Sequence, residues 1–397
     1  MALRAQAEAF SSEVGTGSRQ ENASAQLYSR GRAALVGLGL VLAGCAGPGR
    51  GLLVPVAAEP GIGHARTILA VTTRSPASDE PPGYLFSGER GDATRFASLT
   101  LSLPPERAAG SAPTDADHPD PARHIVLTAS RGLERAEFTA LARGPVRRRA
   151  LVFTHGYNTQ FDAAAIRFAQ IVDDTGFEGL PILFSWPSRG GISDYGYDKD
   201  SANYSRDAME NLLATLARQP GISGIDIFAH SMGNWLTMET LRQLAIARDQ
   251  KTLSRLGTIV LAAPDVDMDV FRTQIARLGP LAAHMVVYAS KDDYALQLSR
   301  RLFGGKIRAG ENTDLAQFRA LGLAAHDLST VEGGIGRNHG KAFGDGATIA
   351  QIGATLSAGQ SARPAGQLLA GGLQTLGQSM SAIGEALLPL PAQGEMR

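Results

Sequence analysis

The chain has 397 residues, 44% of them hydrophobic and 19% charged, which is enough apolar material for one large globular domain with appendages and excludes a fibrous or disordered chain. Basic and acidic residues balance at 38 each, so no global field favours nucleic acid, and the run Arg147-Arg148-Arg149 reads as a solvated loop. The one cysteine, Cys45, excludes an internal disulfide framework and any multi-cysteine metal site.

Met1 to Ser29 is polar and carries no evident structural signal. Arg30 and Arg32 then precede an uncharged apolar run, Ala33 to Ala43, which ends in small residues before Cys45. A charged region, an apolar core and a small-residue site in that order describe an export signal, and the run is shorter than the roughly 20 residues a spanning helix needs. Leu42-Ala43-Gly44-Cys45 resembles a bacterial lipobox. The resemblance implies cleavage before Cys45, acylation of its thiol and of the new amino terminus, and a membrane-anchored protein of the cell envelope facing the periplasm or exterior. The alternative is an ordinary secretory signal with an incidental cysteine. The expected organisation is a signal region over 1–45, a Gly/Pro-rich linker over 46–62, a folded domain over 63–344 and a Gly/Ala/Gln-rich tail over 345–397.

Short β-type runs are expected at Ile68 to Thr73, Tyr84 to Ser87, Phe96 to Leu103 and His124 to Thr128, separated by Pro- and Asp-rich segments. From Ala150 the pattern alternates. The strand Leu151 to Phe153 precedes a helix with Ala165, Phe168, Ile171 and Val172 on one face, stopping near Gly176. Ile182 to Trp186 is the next strand. A helix carrying Met209, Leu212, Leu213 and Leu216 follows and ends by Pro220. The strand Ile225 to Ala229, a helix face at Trp235, Met238, Leu241 and Ala245, and the strands Thr258 to Ala262 and Met285 to Ala289 come next. Short apolar strands each joined by a helix predict an α/β fold whose mostly parallel central sheet is covered by helices on both faces.

Ser231 lies in Ala229-His230-Ser231-Met232-Gly233-Asn234, between an expected strand and an expected helix. That is the context of a nucleophile elbow, where a strained turn lifts the serine hydroxyl above the sheet and requires small residues two before and two after. Ala229 and Gly233 meet the requirement, with alanine where glycine is usual. His155-Gly156-Tyr157-Asn158 follows the strand Leu151 to Phe153. Backbone N–H groups of Tyr157 and Met232 are the expected donors to a developing oxyanion, each worth roughly 3–4 kcal/mol.

Because this arrangement orders its residues Ser, acid, His, the base must follow Ser231, and His155 reads as structural. His284 precedes a strand on the wrong side of the acid position. His339, on the glycine-rich loop Gly333 to Gly340, is chosen over His326 at the start of a short last strand. Asp293, after the strand Met285 to Ala289, is the chosen carboxylate over Asp292, with Asp265 one strand earlier as its rival. No metal or organic cofactor is required.

These motifs, with Phe184-Ser185-Trp186-Pro187-Ser188, Ala262-Ala263-Pro264-Asp265, Asp293, Ala295, Leu296, Ser299 and Asn338-His339, resemble in fixed order a family of bacterial α/β-hydrolases of unassigned substrate in the esterase and lipase group. The resemblance spans about Ile68 to His339 and implies the α/β-hydrolase fold with Ser231, Asp293 and His339 as its catalytic residues. The expected activity is hydrolysis of a small-molecule or lipid acyl ester through an acyl-enzyme. The competing expectation is a non-catalytic lipoprotein of the same fold that binds a lipid or envelope partner.

Trp186 to Tyr204 is expected as a glycine-rich loop bordering the substrate pocket, with Arg189 either meeting an anionic group or pairing with Asp194 or Asp198. In the tail, Leu369, Leu373, Leu376, Met380, Ile383 and Leu387 form a heptad stripe interrupted by glycines.

Overall fold

Among the described residues from His64 onward, apolar runs separated by polar turns make nine strands: β1 His64–Pro76, β2 Phe86–Leu103, β3 Val126–Leu133, β4 Arg148–Thr154, β5 Leu180–Ser185, β6 Ile222–His230, β7 Leu256–Ala262, β8 Met285–Ala289 and β9 Ala324–Asp327. The helices between them are α1 Arg135–Arg143, α2 Phe161–Asp174, α3 Tyr195–Tyr204, α4 Arg206–Ala217, α5 Met232–Ala247, α6 Gln250–Leu253, α7 Met268–Leu278, α8 Tyr294–Phe303, α9 Leu315–Ala320, α10 Lys341–Gly344 and α11 Gly346–Ala358. The computed structural model describes residues 51–57, 62–77, 85–332, 336 and 338–358. Cys45 with the signal region, and the stripe Leu369 to Leu387, lie outside the described residues.

The strands form one sheet in the order β3-β2-β1-β5-β4-β6-β7-β8-β9. β1 to β3 are an antiparallel meander, and every other pairing is parallel. β5 and β8 are buried along their whole lengths, because helices cover both faces. The chain leaves β4 through α2 to reach β5, then returns past β4 through α3 and α4 to reach β6. Right-handed crossovers in opposite directions place α2 and α4 on opposite faces, and the reversal makes the carboxyl ends of β4 and β6 the switch point where a crevice opens. The α/β-hydrolase fold expected from the sequence is the fold observed.

One face of the core joins Leu151, Phe153, Leu183, Phe228, Val260 and Tyr288 of the sheet to Phe161, Phe168 and Ile171 of α2. Phe153 stacks on Phe168 at 5.3 Å and meets Phe228 edge-on at 5.8 Å. Removing each such ring from water contributes roughly 1.5–3 kcal/mol, with about 1 kcal/mol more for the ring pair. Alternate residues such as Val152, Ile227 and Ile259 point to the other face, where α4 and α5 pack.

Several boundaries differ from expectation. β2 is one strand of 18 residues where two short runs were expected, since the polar Glu89-Arg90-Gly91-Asp92 stays paired to β1 across register shifts around Arg74. Half of the expected loop Trp186 to Tyr204 is helix α3. Trp235 is only half-buried; Met232, Leu236, Met238, Leu241 and Leu244 are the buried apolar side chains of α5. The core also passes both expected domain limits. Leu53 is fully buried, with the Gly51 and Leu52 amides donating to Asp162, and α11 buries Ile349, Ile352 and Leu356.

Candidate active site

Ser231 sits between β6 and α5 with φ 52° and ψ −120°, a conformation that costs a non-glycine residue about 1–3 kcal/mol and persists only where surroundings impose it. They do so here from both sides. The Ser231 amide donates to the Ala262 carbonyl at 3.0 Å, while its carbonyl accepts from the Asn234 amide, Asn234 Nδ2 and the Asp265 amide at 3.0–3.2 Å. The expected need for a small residue at Gly233 has a direct cause, because a Cβ there would lie 2.5 Å from the His155 carbonyl oxygen and 2.6 Å from that of Thr154. Met232, at the first position of α5, has an N–H without an acceptor inside the helix.

The loop after β4 reaches the serine through Gly156, where a Cβ would lie 2.9 Å from Ser231 Cβ. This contact brings the segment carrying Tyr157 to the elbow. The Tyr157 hydroxyl donates to the Gly191 carbonyl at 3.0 Å, and its ring meets that of Tyr195 edge-on. Asp198, which sequence reading treated only as a partner for Arg189, organises this loop. Its carboxylate accepts from Ser188 Oγ at 2.6 Å and from the Asn158 and Arg189 amides at 3.1 Å each, and burial pushes its pKa up to about 6.

His155 is structural, as expected. Its ring stacks on Trp186 at 4.8 Å, Nε2 lies 3.1 Å from Ser185 Oγ and 3.3 Å from Arg74 Nη2, and its carbonyl accepts from Trp186 Nε1. Burial and the Arg74 charge lower its pKa to about 3, so it is neutral. Arg74 escaped the sequence reading because an arginine among threonines in a strand looks solvent-facing. It is instead fully buried and donates to the Ser87, Ser188 and Thr159 carbonyls, tying β1 and β2 to the loops after β4 and β5.

His339 and Asp293 come together from segments 46 residues apart, with His339 Nδ1 at 2.7 Å from Asp293 Oδ2 and both side chains buried. The carboxylate fixes the proton on Nδ1 and leaves Nε2 as the basic nitrogen. Burial pulls the His339 pKa down, but the charge and hydrogen bond of Asp293, with help from Asp265, outweigh it and hold the net value above the ordinary histidine value. The other Asp293 oxygen caps α8 through the Leu296 amide at 3.1 Å. Asp292 clamps the same histidine segment through its neighbours, accepting from Asn338 Nδ2 at 2.9 Å and from Lys341 Nζ at 2.8 and 2.9 Å. His230 Nε2 lies 3.2 Å from the His339 carbonyl oxygen and therefore carries the proton it donates; burial and the nearby His339 push its pKa well down.

The other candidates are engaged elsewhere. Asp265 accepts from the Tyr195 hydroxyl and Ser299 Oγ, and Arg308 Nε lies 3.3 Å away without hydrogen-bond alignment. His326 stacks on Tyr288, and His284 Nδ1 contacts the Gly257 carbonyl before β8. The Arg189 guanidinium pairs with neither Asp194 nor Asp198. It meets Glu89 at 2.8 and 3.0 Å and lies over the Tyr197 ring at 3.6 Å, a partner 100 residues away that no local spacing could reveal.

Residues 133–354, more than half of the chain, match the model of a family described as alpha/beta hydrolase of unknown function (DUF900). An uncharacterized protein of Nostoc sp. is 30% identical over 120 residues, 24% of this chain, and the chain spans only 31% of that relative. Among solved structures, a Pyrobaculum calidifontis esterase is 12% identical, covering 75% of this chain and 86% of that one, at a TM-score of 0.35. Brefeldin A esterase, a bacterial homologue of human hormone sensitive lipase, is 12% identical over 84% and 87% of the two chains, at 0.36. Likenesses this distant carry no argument about chemistry. The extent of the family match, together with the elbow at the switch point of a mostly parallel sheet, makes the chain a member of the alpha/beta hydrolase family of unknown function.

Proposed function

We propose that the protein is a serine carboxylester hydrolase acting at the cell envelope. The observation that carries the reading is the pairing of a strained serine at the sheet's switch point with a buried His339–Asp293 hydrogen bond from the same edge of the sheet. In the proposed reaction, Ser231 Oγ attacks the ester carbonyl carbon as its proton passes to His339 Nε2, and the N–H groups of Tyr157 and Met232 receive the oxyanion. Collapse breaks the bond to the alcohol oxygen, which leaves with the proton from His339. A water then attacks the acyl-enzyme, giving its proton to His339, and the acid departs as Ser231 regains its hydrogen. Asp293 holds the imidazole and stabilises its cation throughout.

The lipobox-like Leu42-Ala43-Gly44-Cys45 supports an acylated Cys45 and a membrane-anchored protein outside the cytoplasm. The chemistry is tested with a series of p-nitrophenyl esters of increasing acyl length. Turnover that falls by orders of magnitude in both Ser231→Ala and His339→Ala is the expected result. Absence of turnover for every ester by folded protein would favour a binding protein of the same fold.

A further inference from the structure

We infer that the last turn of α8 and the loop that follows it form a docking surface for an anionic lipid membrane. The seven residues Arg301-Leu302-Phe303-Gly304-Gly305-Lys306-Ile307 are all exposed. Leu302, Phe303 and Ile307 leave 46%, 52% and 43% of their surfaces open to water, a cluster of large exposed apolar side chains. Gly304 and Gly305 have φ values of 70° and 91°, left-handed conformations that turn the chain sharply between Phe303 and Ile307. Along α8, Tyr294, Leu298 and Leu302 step by four, so the apolar surface continues as a stripe on one side of the helix. Tyr294 at its start is 51% exposed.

Charge selects the occupant. The nearby carboxylates are committed: Asp265 faces Arg308, Glu311 pairs with Arg300, and Asp267 accepts from the Lys306, Asp269 and Val270 amides. Among the described residues, neither the Arg301 guanidinium nor the Lys306 ammonium has an ion-pair partner. Exposed apolar side chains interleaved with free cations fit an interface of acyl chains beneath anionic headgroups. A second copy of the chain meeting this face through a two-fold axis would oppose cation to cation.

This surface adjoins the candidate active site. α8 begins at its cap Asp293, and the Phe303 ring stacks on Tyr195 at 3.9 Å, which in turn meets Tyr157. Docking here would set the active edge against the bilayer. The inference rests on surface chemistry and holds whether or not Ser231 is a nucleophile.

The test uses the full chain carrying Cys45→Ser, so that acylation does not contribute, floated with vesicles of phosphatidylcholine alone or mixed with phosphatidylglycerol. The parent should bind the anionic vesicles and release them at high salt. Arg301→Gln and Lys306→Gln should each weaken partition about fivefold, and the pair about twenty-five-fold. Leu302→Ser with Ile307→Ser should abolish it, while a water-soluble p-nitrophenyl ester is turned over by all variants at the parent rate. Parent binding that is absent, or unchanged in these variants, would overturn the inference. So would an oligomer in sedimentation that the Leu302/Ile307 variant dissociates, which would assign the patch to a second copy.

Discussion

The Lys341 ammonium, two residues past His339, lies 2.8 and 2.9 Å from the carboxylate of Asp292, the residue before Asp293. Two consecutive acids thus hold one segment twice: Asp293 takes the imidazole, and Asp292 takes its neighbours Asn338 and Lys341. Lys341 is almost wholly buried, whereas Asp292 is about one third exposed, 2% against 35% of the side chain.

That asymmetry predicts unequal costs. Asp292→Ala strands a buried ammonium and should destabilise the fold by about 3–5 kcal/mol, whereas Lys341→Met leaves a partly hydrated carboxylate and should cost only about 1–2 kcal/mol. Urea unfolding of the two variants checks this, and equal losses would show that the pair does not set the energetics of the segment.

The raised His339 pKa predicts where activity fails. Catalysis by neutral His339 should fall as pH drops through an apparent pKa above 6.5. Asp293→Asn removes the charge that holds the His339 pKa up, so the acid limb should move to lower pH while kcat falls by about 10⁴. A kcat/KM profile against pH reads both, and an unmoved limb would detach Asp293 from the base.

Another histidine, His155, should make its own contribution to acid lability. His155 titrates near 6.5 when unfolded but near 3 when folded, so its folded state binds fewer protons and stability falls as pH drops below 6.5. From pH 6.5, where the unfolded histidine is half protonated, to 4.5 its share of the loss is about 2 kcal/mol, at 1.36 kcal/mol per unit. His230, also held well down by burial, adds to this loss, whereas Asp198, raised to about 6, works against it, and the contribution of His339, opposite in sign to that of His155, is largely complete below 6.5. His155→Gln should make unfolding free energy fall less with decreasing pH over that window than it does in the parent, and an unchanged slope would show that His155 is not held neutral in the folded state.

Close approach at the elbow gives a steric prediction. Gly233→Ala would press a methyl against two backbone carbonyls, and Gly156→Ala would press one against Ser231 Cβ. Both should lower esterase turnover at least about a hundredfold, with Gly233→Ala also losing about 1–3 kcal/mol of stability because backbone must move. Wild-type turnover in Gly156→Ala would mean the loop after β4 does not border the reacting serine.

The sequence made the elbow, the alternation of strands and helices, and the His339 and Asp293 positions readable, because each rests on local pattern or on order along the chain. The rest depended on contacts between distant segments. Arg74 reads as an ordinary strand arginine until β2 and the loops after β4 and β5 close around it, and Arg189 finds Glu89 only because β2 runs unbroken through a polar stretch. α3 lay hidden in Tyr195–Tyr204, whose residues present no apolar stripe, and Asp198 on it gains its role only after folding. Asp293, the chosen carboxylate, and its rival Asp265 both follow parallel strands, and of the two it is Asp293 that His339 hydrogen-bonds.

The central claim is that Ser231 is an activated nucleophile. Full-length protein treated with a fluorophosphonate and analysed by peptide mass spectrometry should carry one adduct on Ser231, absent in Ser231→Ala and formed orders of magnitude more slowly in His339→Ala. Folded wild-type protein that takes no label, or an adduct that persists in Ser231→Ala, would contradict it.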